Sequence, residues 1–366
     1  MQEGALAERL ITYDTSTLEG MRSAAGFVKG WLEARDVEVT DVIHNGRPLL
    51  AAAVGAAEGP TVVFHGHLDV VPGRPEQFVP RVEGDRLIGR GAYDMKGGLA
   101  GMMCAVRDLA GQRLVRVRFA CVADEESEET AQRGSDHLIR HGCRGDFAIT
   151  GEPTDLRVGV QAKGVLVMRV EVTGKSAHGS TPWLGDNAVL KAIDVFRQIG
   201  SLPFARESSE LFDRPSINLG RIVGGDALNK VPDTCVIDVD VRYLPGQDAD
   251  AIRASVDALP DATVTQVFRR EPAIVDPDNP FVRTLVEAVA GGAAADRISV
   301  GRDGASDAVS FLAAGVPAVE FGPVGGGHHG PEEWVSLASL ERYRAALVEF
   351  ATLVPKRLGA SHLRIA

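Results

Sequence analysis

The sequence predicts an α/β protein with a second, α+β unit inserted into it. Three observations carry that reading. Up to residue 150, short apolar runs alternate with stretches of helical spacing, the pattern of a sheet covered by helices. After about Lys163 the order becomes strand, helix, strand, strand, helix, strand, a self-contained two-layer βαββαβ sandwich. Beyond a Pro/Asp-rich hinge at 272–280 the first pattern resumes. A chain of 366 residues also exceeds a typical single core, so two domains are expected. They divide as residues 1–163 for the first part of one domain, 164–275 for the insert, and 276–366 for the remainder.

Taken in order, residues 3–10 and 17–34 carry apolar side chains at helical spacing, with Thr15, Ser16 or Thr17 as the N-cap. Strands are expected at 37–43 and 49–54, and Gly59-Pro60 marks a turn before a buried strand at 61–64. A helix rich in Ala, Met and Leu follows at 97–109, then strands at 115–122 and 146–150. In the insert, strands fall at 165–172, 216–222, 234–242 and 262–268, with helices at 187–199 and 248–259. The last stretch holds helices at 281–291 and 308–314 and an apolar run at 316–321.

A net charge of −11 argues against nucleic acid or an anionic membrane as partner. No apolar run reaches the length of a membrane span, and the first residues lack the basic and apolar regions of a signal peptide. The four cysteines are scattered without C-x-x-C spacing, which fits reduced thiols in the core of a cytoplasmic protein.

Five places combine metal-capable side chains with strand ends or glycine-rich turns. They are His67 with Asp69, Asp94, the pair Glu125-Glu126, Glu152, and His329 within 325–330. Each alone has a plainer reading. Asp94 could cap the helix that follows, Glu125-Glu126 could be a solvated acidic loop, and Glu152 and His328-His329 could be turn residues. Together they are a donor set of histidines and carboxylates suited to zinc or a similar borderline cation. The set is large enough for two ions about 3.5–4 Å apart if one carboxylate bridges them. Adjacent acids fit a division of labour in which one binds metal and its neighbour takes a proton.

The stretches GHLDVVP, GRGAYDMKGG, DEE, TGEPT, GKSAHGSTPWLGDNA and HGPEEWV, in this order along nearly the whole chain, resemble the metallopeptidase family of acetylornithine deacetylase, succinyl-diaminopimelate desuccinylase, aminoacylase and carboxypeptidase G. The resemblance implies a zinc-peptidase-like catalytic domain, its mixed sheet flanked by helices, and an inserted dimerisation or lid domain at 164–275. It implies two Zn2+ per chain, with Co2+ or Mn2+ as substitutes. His67, Asp94 and Glu152 would hold one ion, and Asp94, Glu126 and His329 the other, Asp94 bridging. Glu125 would be the general base and Asp69 would orient His67. The bond after Asp94 would be cis. His65 matches no ligand and is expected to pack. His329, not His328, has the family spacing to Glu333.

On the insert, His178 would reach the partner subunit's site and stabilise the oxyanion. Arg242 would grip a substrate carboxylate with its guanidinium fork, Asn229 would contact substrate across the dimer, and Ser306 would belong to a substrate-side loop at 301–307. The expected activity is removal of an acetyl or succinyl type of acyl group from an N-acyl amino acid with a free carboxylate. A dipeptidase or carboxypeptidase is the alternative, and a non-catalytic binder of amino-acid derivatives a third reading. Expected partners are a small N-acyl amino acid or dipeptide and a second copy of the chain, without nucleic acid or membrane.

Overall fold

The structure, a computed structural model, describes residues 2–127, 133–290, 301–304 and 306–358. It divides into two units. The first holds the described residues up to Val160, those from Val275 to residue 290, and those from Asp307 onward; the second holds Gln161–Ile274 and 301–304 with Ser306.

The first unit is built on a six-stranded mixed sheet. Its strands are β1 (Val39–His44), β2 (Arg47–Gly55), β3 (Thr61–His67), β4 (Arg116–Val122), β5 (Phe147–Thr150) and, from the far end of the chain, a three-residue strand Ala318–Glu320. The order across the sheet is β1-β2-β4-β3-β5 and then Ala318–Glu320. β1 and β2 form a hairpin turning on Asn45-Gly46, whose φ values of 48° and 77° are those of a type I′ turn. β3 runs parallel to both β4 and β5. A central parallel strand is covered on both faces, so it reads as a continuous apolar run rather than an alternation; Val62, Val63 and Phe64 are all buried.

Helices α1 (Gln2–Ile11), α2 (Leu18–Glu33) and α3 (Gly97–Leu109) lie where their spacing places them. Thr17 caps α2, its hydroxyl accepting from the Gly20 amide at 3.1 Å. Asp94 does not cap α3; the N-cap position is Lys96. Among the described residues, two α-helices stand where no element is expected. One is α4 (Gly134–Arg140), only seven residues long, too short for periodicity to show. The other is the last helix, Leu337–Leu358, which buries Leu340, Tyr343, Leu347, Phe350 and Val354. That three-to-four spacing was legible, and the expected elements simply stop before it. The helix expected at 281–291 spans Pro280–Ala290, its residue 291 lying outside the described residues. Glu128 and Glu129, the rest of the acidic run after Glu126, also lie outside them.

The second unit is the expected βαββαβ set. β6 (Gly164–Thr173), β7 (Ser216–Gly224), β8 (Thr234–Tyr243) and β9 (Ala262–Arg270) form an antiparallel sheet ordered β7-β8-β6-β9. Along β8 buried and half-buried residues alternate, as a sheet with one face on a core requires. That core is Met168, Val170, Ile237, Val239 and Val241 from the sheet with Ala192, Val195, Ile199, Ile252 and Val256 from α5 (Ala188–Ile199) and α6 (Ala249–Asp257). The chain is thus α/β with an inserted α+β unit. Residues Gly301–Arg302, expected in a loop, pair in parallel with Gln161–Ala162; Ala305 lies outside the described residues. All four cysteines are buried and free. Among the described residues no helix is long and apolar enough to cross a membrane.

Candidate metal centre and hydrolytic site

Parallel pairing decides where the chemistry collects. Because β3, β4 and β5 point the same way, their carboxyl ends share one edge, where ligands of open α/β sheets bind. His67 ends β3, Asp124-Glu125-Glu126 follow β4, and Gly151-Glu152 follow β5. Asp94 enters from the turn before α3, and its peptide bond to Met95 is cis. Met95 is buried between two glycines. A Cβ on Gly66 would lie 2.6 Å, and one on Gly151 2.5 Å, from the Met95 methyl, so larger residues there would have to move the Met95 side chain. The fifth piece arrives by another route. The loop carrying His328 and His329 is closed by Gly325–Gly326 pairing with Trp334–Ser336, which pairs with Arg86–Ile88 shortly before Asp94.

The result is centred on Asp94. Its Oδ1 lies 3.1 Å from His67 Nε2, which also sits 3.6 Å from Glu152 Oε1. Its Oδ2 faces His329 Nε2 at 3.3 Å, and that nitrogen lies 2.9 Å from Glu126 Oε1. His328 Nε2 also contacts Asp94 Oδ2. Two groups of possible ligand atoms result, His67 with Asp94 and Glu152, and Asp94 with His328 and His329.

The nearest acceptor to His67 Nδ1 is the Asp69 backbone carbonyl, 2.9 Å away, whereas the Asp69 carboxylate is 3.6 Å away. A carbonyl only accepts, so Nδ1 carries a proton, and Nε2 is the nitrogen turned to the two carboxylates. The Asp69 carboxylate accepts the Glu126 amide at 2.8 Å instead, tying the β3 end to the Asp124-Glu125-Glu126 turn. That turn is further held by Arg133, which donates to the carbonyls of Asp124 at 2.6 Å and Glu125 at 2.5 Å.

Electrostatics show what this cluster is short of. Burial works against the charged form of Asp94, yet hydrogen bonds from His328, His329 and His67 hold it well below the usual carboxylate range. Burial, and then the neighbouring Asp94 charge, push Glu152 well above it. His67 is raised despite its burial by its contacts with Asp69 and Asp94. Asp94 and then Glu126 raise His329 to about 10. Protons thus stand in where negative charge converges, and a bound cation reverses that logic. The donor chemistry, an imidazole lone pair among buried carboxylates, fits a divalent ion.

Of Glu333 only its spacing to His329 is legible in the sequence, and of Arg90 and Lys96 no role at all. Glu333, 1% exposed, accepts the amides of Tyr93 and Asp94, each at 3.0 Å, and Arg90 Nη1 at 2.8 Å. Arg90 Nη2 donates to the His329 carbonyl at 3.1 Å. This buried pair ties the Asp94 turn to the His329 loop from residues more than 200 apart in sequence. The H-x-x-x-E spacing was its visible trace. Lys96, fully buried, donates to the Tyr13 carbonyl at 2.8 Å, and burial lowers its ammonium to about 7. His65 packs as expected, with Nε2 2.9 Å from Ser135 Oγ and its ring edge-on to Phe311. The Ser135 hydroxyl donates to Asp307 at 2.8 Å, so Asp307 faces this buried network.

In the second unit, His178 is exposed. The Ser180 amide donates to its Nδ1 at 3.1 Å, and the Ser180 hydroxyl lies 2.8 Å from the same atom. An N–H can only donate, so Nδ1 accepts and the neutral ring carries its proton on Nε2. Asn229 is also exposed; its backbone carbonyl accepts the Gly179 amide at 2.7 Å, and a β-bridge joins His178 to Lys230. Far apart in sequence, His178 and Asn229 therefore share one surface. Arg242 spends Nε and Nη2 on the Asp240 carboxylate at 3.0–3.1 Å. Ser306 is buried.

A strand-end cluster of carboxylates and imidazoles on an α/β sheet defines a metal-dependent hydrolase, and comparison with known proteins agrees. Residues 63–353 match the model of peptidase family M20/M25/M40, and the chain belongs to that family. It is similar to succinyl-diaminopimelate desuccinylase of Gluconacetobacter diazotrophicus, 32% identical over 350 residues, 87% of this chain and 88% of that one. It also resembles the "Probable carboxypeptidase" of Emericella nidulans, 31% identical over 274 residues, 68% of this chain and 64% of the relative's length. Among solved structures, an M20 family metallo-carboxypeptidase from Sulfolobus solfataricus superposes with a TM-score of 0.77 at 18% identity, covering 97% of this chain and all of that one. Aminopeptidase PepT from Bacillus cereus does so with 0.76 at 20% identity, covering 96% and 98%.

Proposed function

We propose that this hydrolase removes an acyl group, of acetyl or succinyl type, from an N-acyl amino acid that keeps a free carboxylate. The observation carrying the reading is Asp94, whose two oxygens face separate ligand groups, His67 with Glu152 on one side and His329 with Glu126 on the other. That is the arrangement of a bridging carboxylate in a dinuclear centre. His329 is preferred over His328 because it reaches Glu126 as well as Asp94. Two ions, Zn2+ with Co2+ or Mn2+ as substitutes, would polarise the amide carbonyl and acidify the attacking water.

The chain's own groups supply the rest. Glu125 takes a proton from the water as its oxygen bonds to the carbonyl carbon, and returns it to the departing nitrogen as the C–N bond breaks. His178, with its proton on Nε2, donates to the oxyanion. Arg242 binds the substrate carboxylate through the part of its fork that Asp240 leaves over, and Asn229 and Ser306 contact substrate. The unit at 164–275 serves as dimerisation or lid domain and offers its His178 and Asn229 to a second copy. Its exposed apolar side chains, Trp183, Leu184, Leu190, Ile222, Val223 and Leu228, and the sheet edge β7 support that role. A cytoplasmic location fits the free, buried cysteines.

Dipeptidase or carboxypeptidase action uses the same machinery, and the likeness to a metallo-carboxypeptidase keeps it as the second reading. Metal-free protein titrated with Zn2+, Co2+ or Mn2+ and assayed on N-acetyl and N-succinyl amino acids and dipeptides separates the two. Faster turnover of dipeptides than of every acyl amino acid would overturn the first reading, and no turnover of any would overturn both.

A further inference from the structure

A hollow of about 280 Å³ opens on the first unit, lined by Asp155, Leu156, Arg157, Val324 and Arg342. None of the five is a candidate metal ligand. Three segments make its walls, namely the turn after Glu152, the stretch at Val324 and the last helix, and each is pinned. The Leu156 and Gly159 amides donate to the carbonyls of Gly322 at 2.9 Å and Glu320 at 2.8 Å. The Val324 amide donates to the Ser339 hydroxyl at 3.0 Å, in the first turn of the helix that carries Arg342. Asp155 and Leu156 are successive left-handed residues, φ 56° and 60°, a backbone that non-glycine residues rarely adopt. With it Leu156 is buried while Asp155 and Arg157 on either side are exposed.

The charge around the hollow runs against that of the chain. Net charge is −11, and carboxylates match other arginines of this unit. Arg90 pairs with Glu333 at 2.8 Å, and Arg344, next but one to Arg342, with Glu3 at 2.7 Å and Asp108 at 2.8 Å. Among the described residues neither the Arg157 nor the Arg342 guanidinium has such a partner. The one carboxylate of the hollow is already engaged. Asp155 Oδ1 accepts the Tyr93 hydroxyl at 2.9 Å and the Gly325 amide at 3.3 Å. Two guanidinium groups therefore stand against one carboxylate whose charge is partly met.

We propose that this hollow binds a small dianion of carboxylate or phosphate type, with Arg157 and Arg342 as its anchors. A guanidinium is always charged, and its fork pairs with the oxygens of either group. Leu156 and Val324 give the carbon chain of a dicarboxylate an apolar wall, whereas a phosphate would be held by charge and hydrogen bonds alone. The volume suits a ligand of a few heavy atoms, smaller than those that fill drug-sized pockets.

Inorganic phosphate and succinate are the probes. By calorimetric titration, wild type is expected to bind at least one of them at one site more than the double variant Arg157→Ala/Arg342→Ala. Equal binding of both probes by the two proteins would overturn the proposal. An extra site for phosphate only, or for succinate only, identifies which source of the dianion fits. Either single variant should weaken that site about tenfold or more, as for the loss of hydrogen bonds to a charged group; unchanged affinity would overturn the two-arginine site. Added salt should weaken binding, and indifference to salt would overturn a site held by charge. A measurement without variants guards against misfolding. The bound probe should shield both arginines from phenylglyoxal, read by peptide mass, and equal modification with and without it would overturn the site. The metal centre is the same in every sample, so anions bound there cancel from the comparison, and failure of the proposed reaction would not mimic these results.

Discussion

The two units hold their candidate groups in opposite ways. In the first, His67, Asp94 and Glu152 are buried and already within reach of one another. In the second, His178 and Asn229 are exposed and are held by their own loops. The contrast follows from strand pairing. Parallel β3, β4 and β5 gather their ends at one buried edge, whereas the antiparallel sheet of the second unit covers one face and leaves the loops at its ends in solvent. A cation needs several pre-placed donors with their charge already converged. Groups that meet a substrate or another subunit need only a fixed orientation and open access.

Substitutions test that contrast, because metal content separates the two kinds of site. Glu125→Gln should lower kcat most, by about 10²–10⁴-fold, the usual contribution of a general base, with metal content unchanged. Full activity would remove Glu125 from its proposed role. Glu333→Gln should act differently. It leaves Arg90 buried without its countercharge, costing about 3–5 kcal/mol of stability. Denaturant unfolding should show that loss together with reduced metal content, and unaltered metal affinity would mean the Arg90–Glu333 pair does not position the Asp94 turn against the His329 loop.

His178→Ala belongs to the exposed set. It should cost about 10²–10³-fold in kcat, as for the loss of an oxyanion donor, while the protein keeps its metal. Loss of metal instead would place His178 with the buried set. The smallest effect is expected from Ser180→Ala. The backbone amide still fixes the His178 tautomer, so only a hydrogen bond worth about 0.5–1.5 kcal/mol is at stake. A fall in kcat as large as that of His178→Ala would show that the hydroxyl, not the amide, sets the ring.

Elements with strong local signals were readable. Thr17 and Asn187 cap their helices with their own side chains, and the βαββαβ order of the insert follows period-two and helical spacing alone. The motifs named the groups around Asp94 because each lies beside a strand end or glycine turn with a chemical signature. Less was legible where partners are remote. The acceptor for His67 Nδ1 is nearest in the Asp69 carbonyl rather than its carboxylate, a matter of local backbone path that residue types do not encode. The second imidazole on Asp94, from His328, comes from a loop whose next residue, His329, has a left-handed backbone at φ 57°.

By itself, then, the sequence determined which residue types could bind a cation, where strands and helices begin, and that one unit interrupts another. Those are properties of neighbouring residues, set by side-chain chemistry and backbone preference. Only the tertiary structure decided that Asp94 presents one oxygen to each ligand group, that Glu333 and Arg90 tie the two ends of the chain together, and that Arg157 and Arg342 line one hollow. Each of these depends on distance between segments far apart in the chain, which is fixed when the sheet pairs and its core closes.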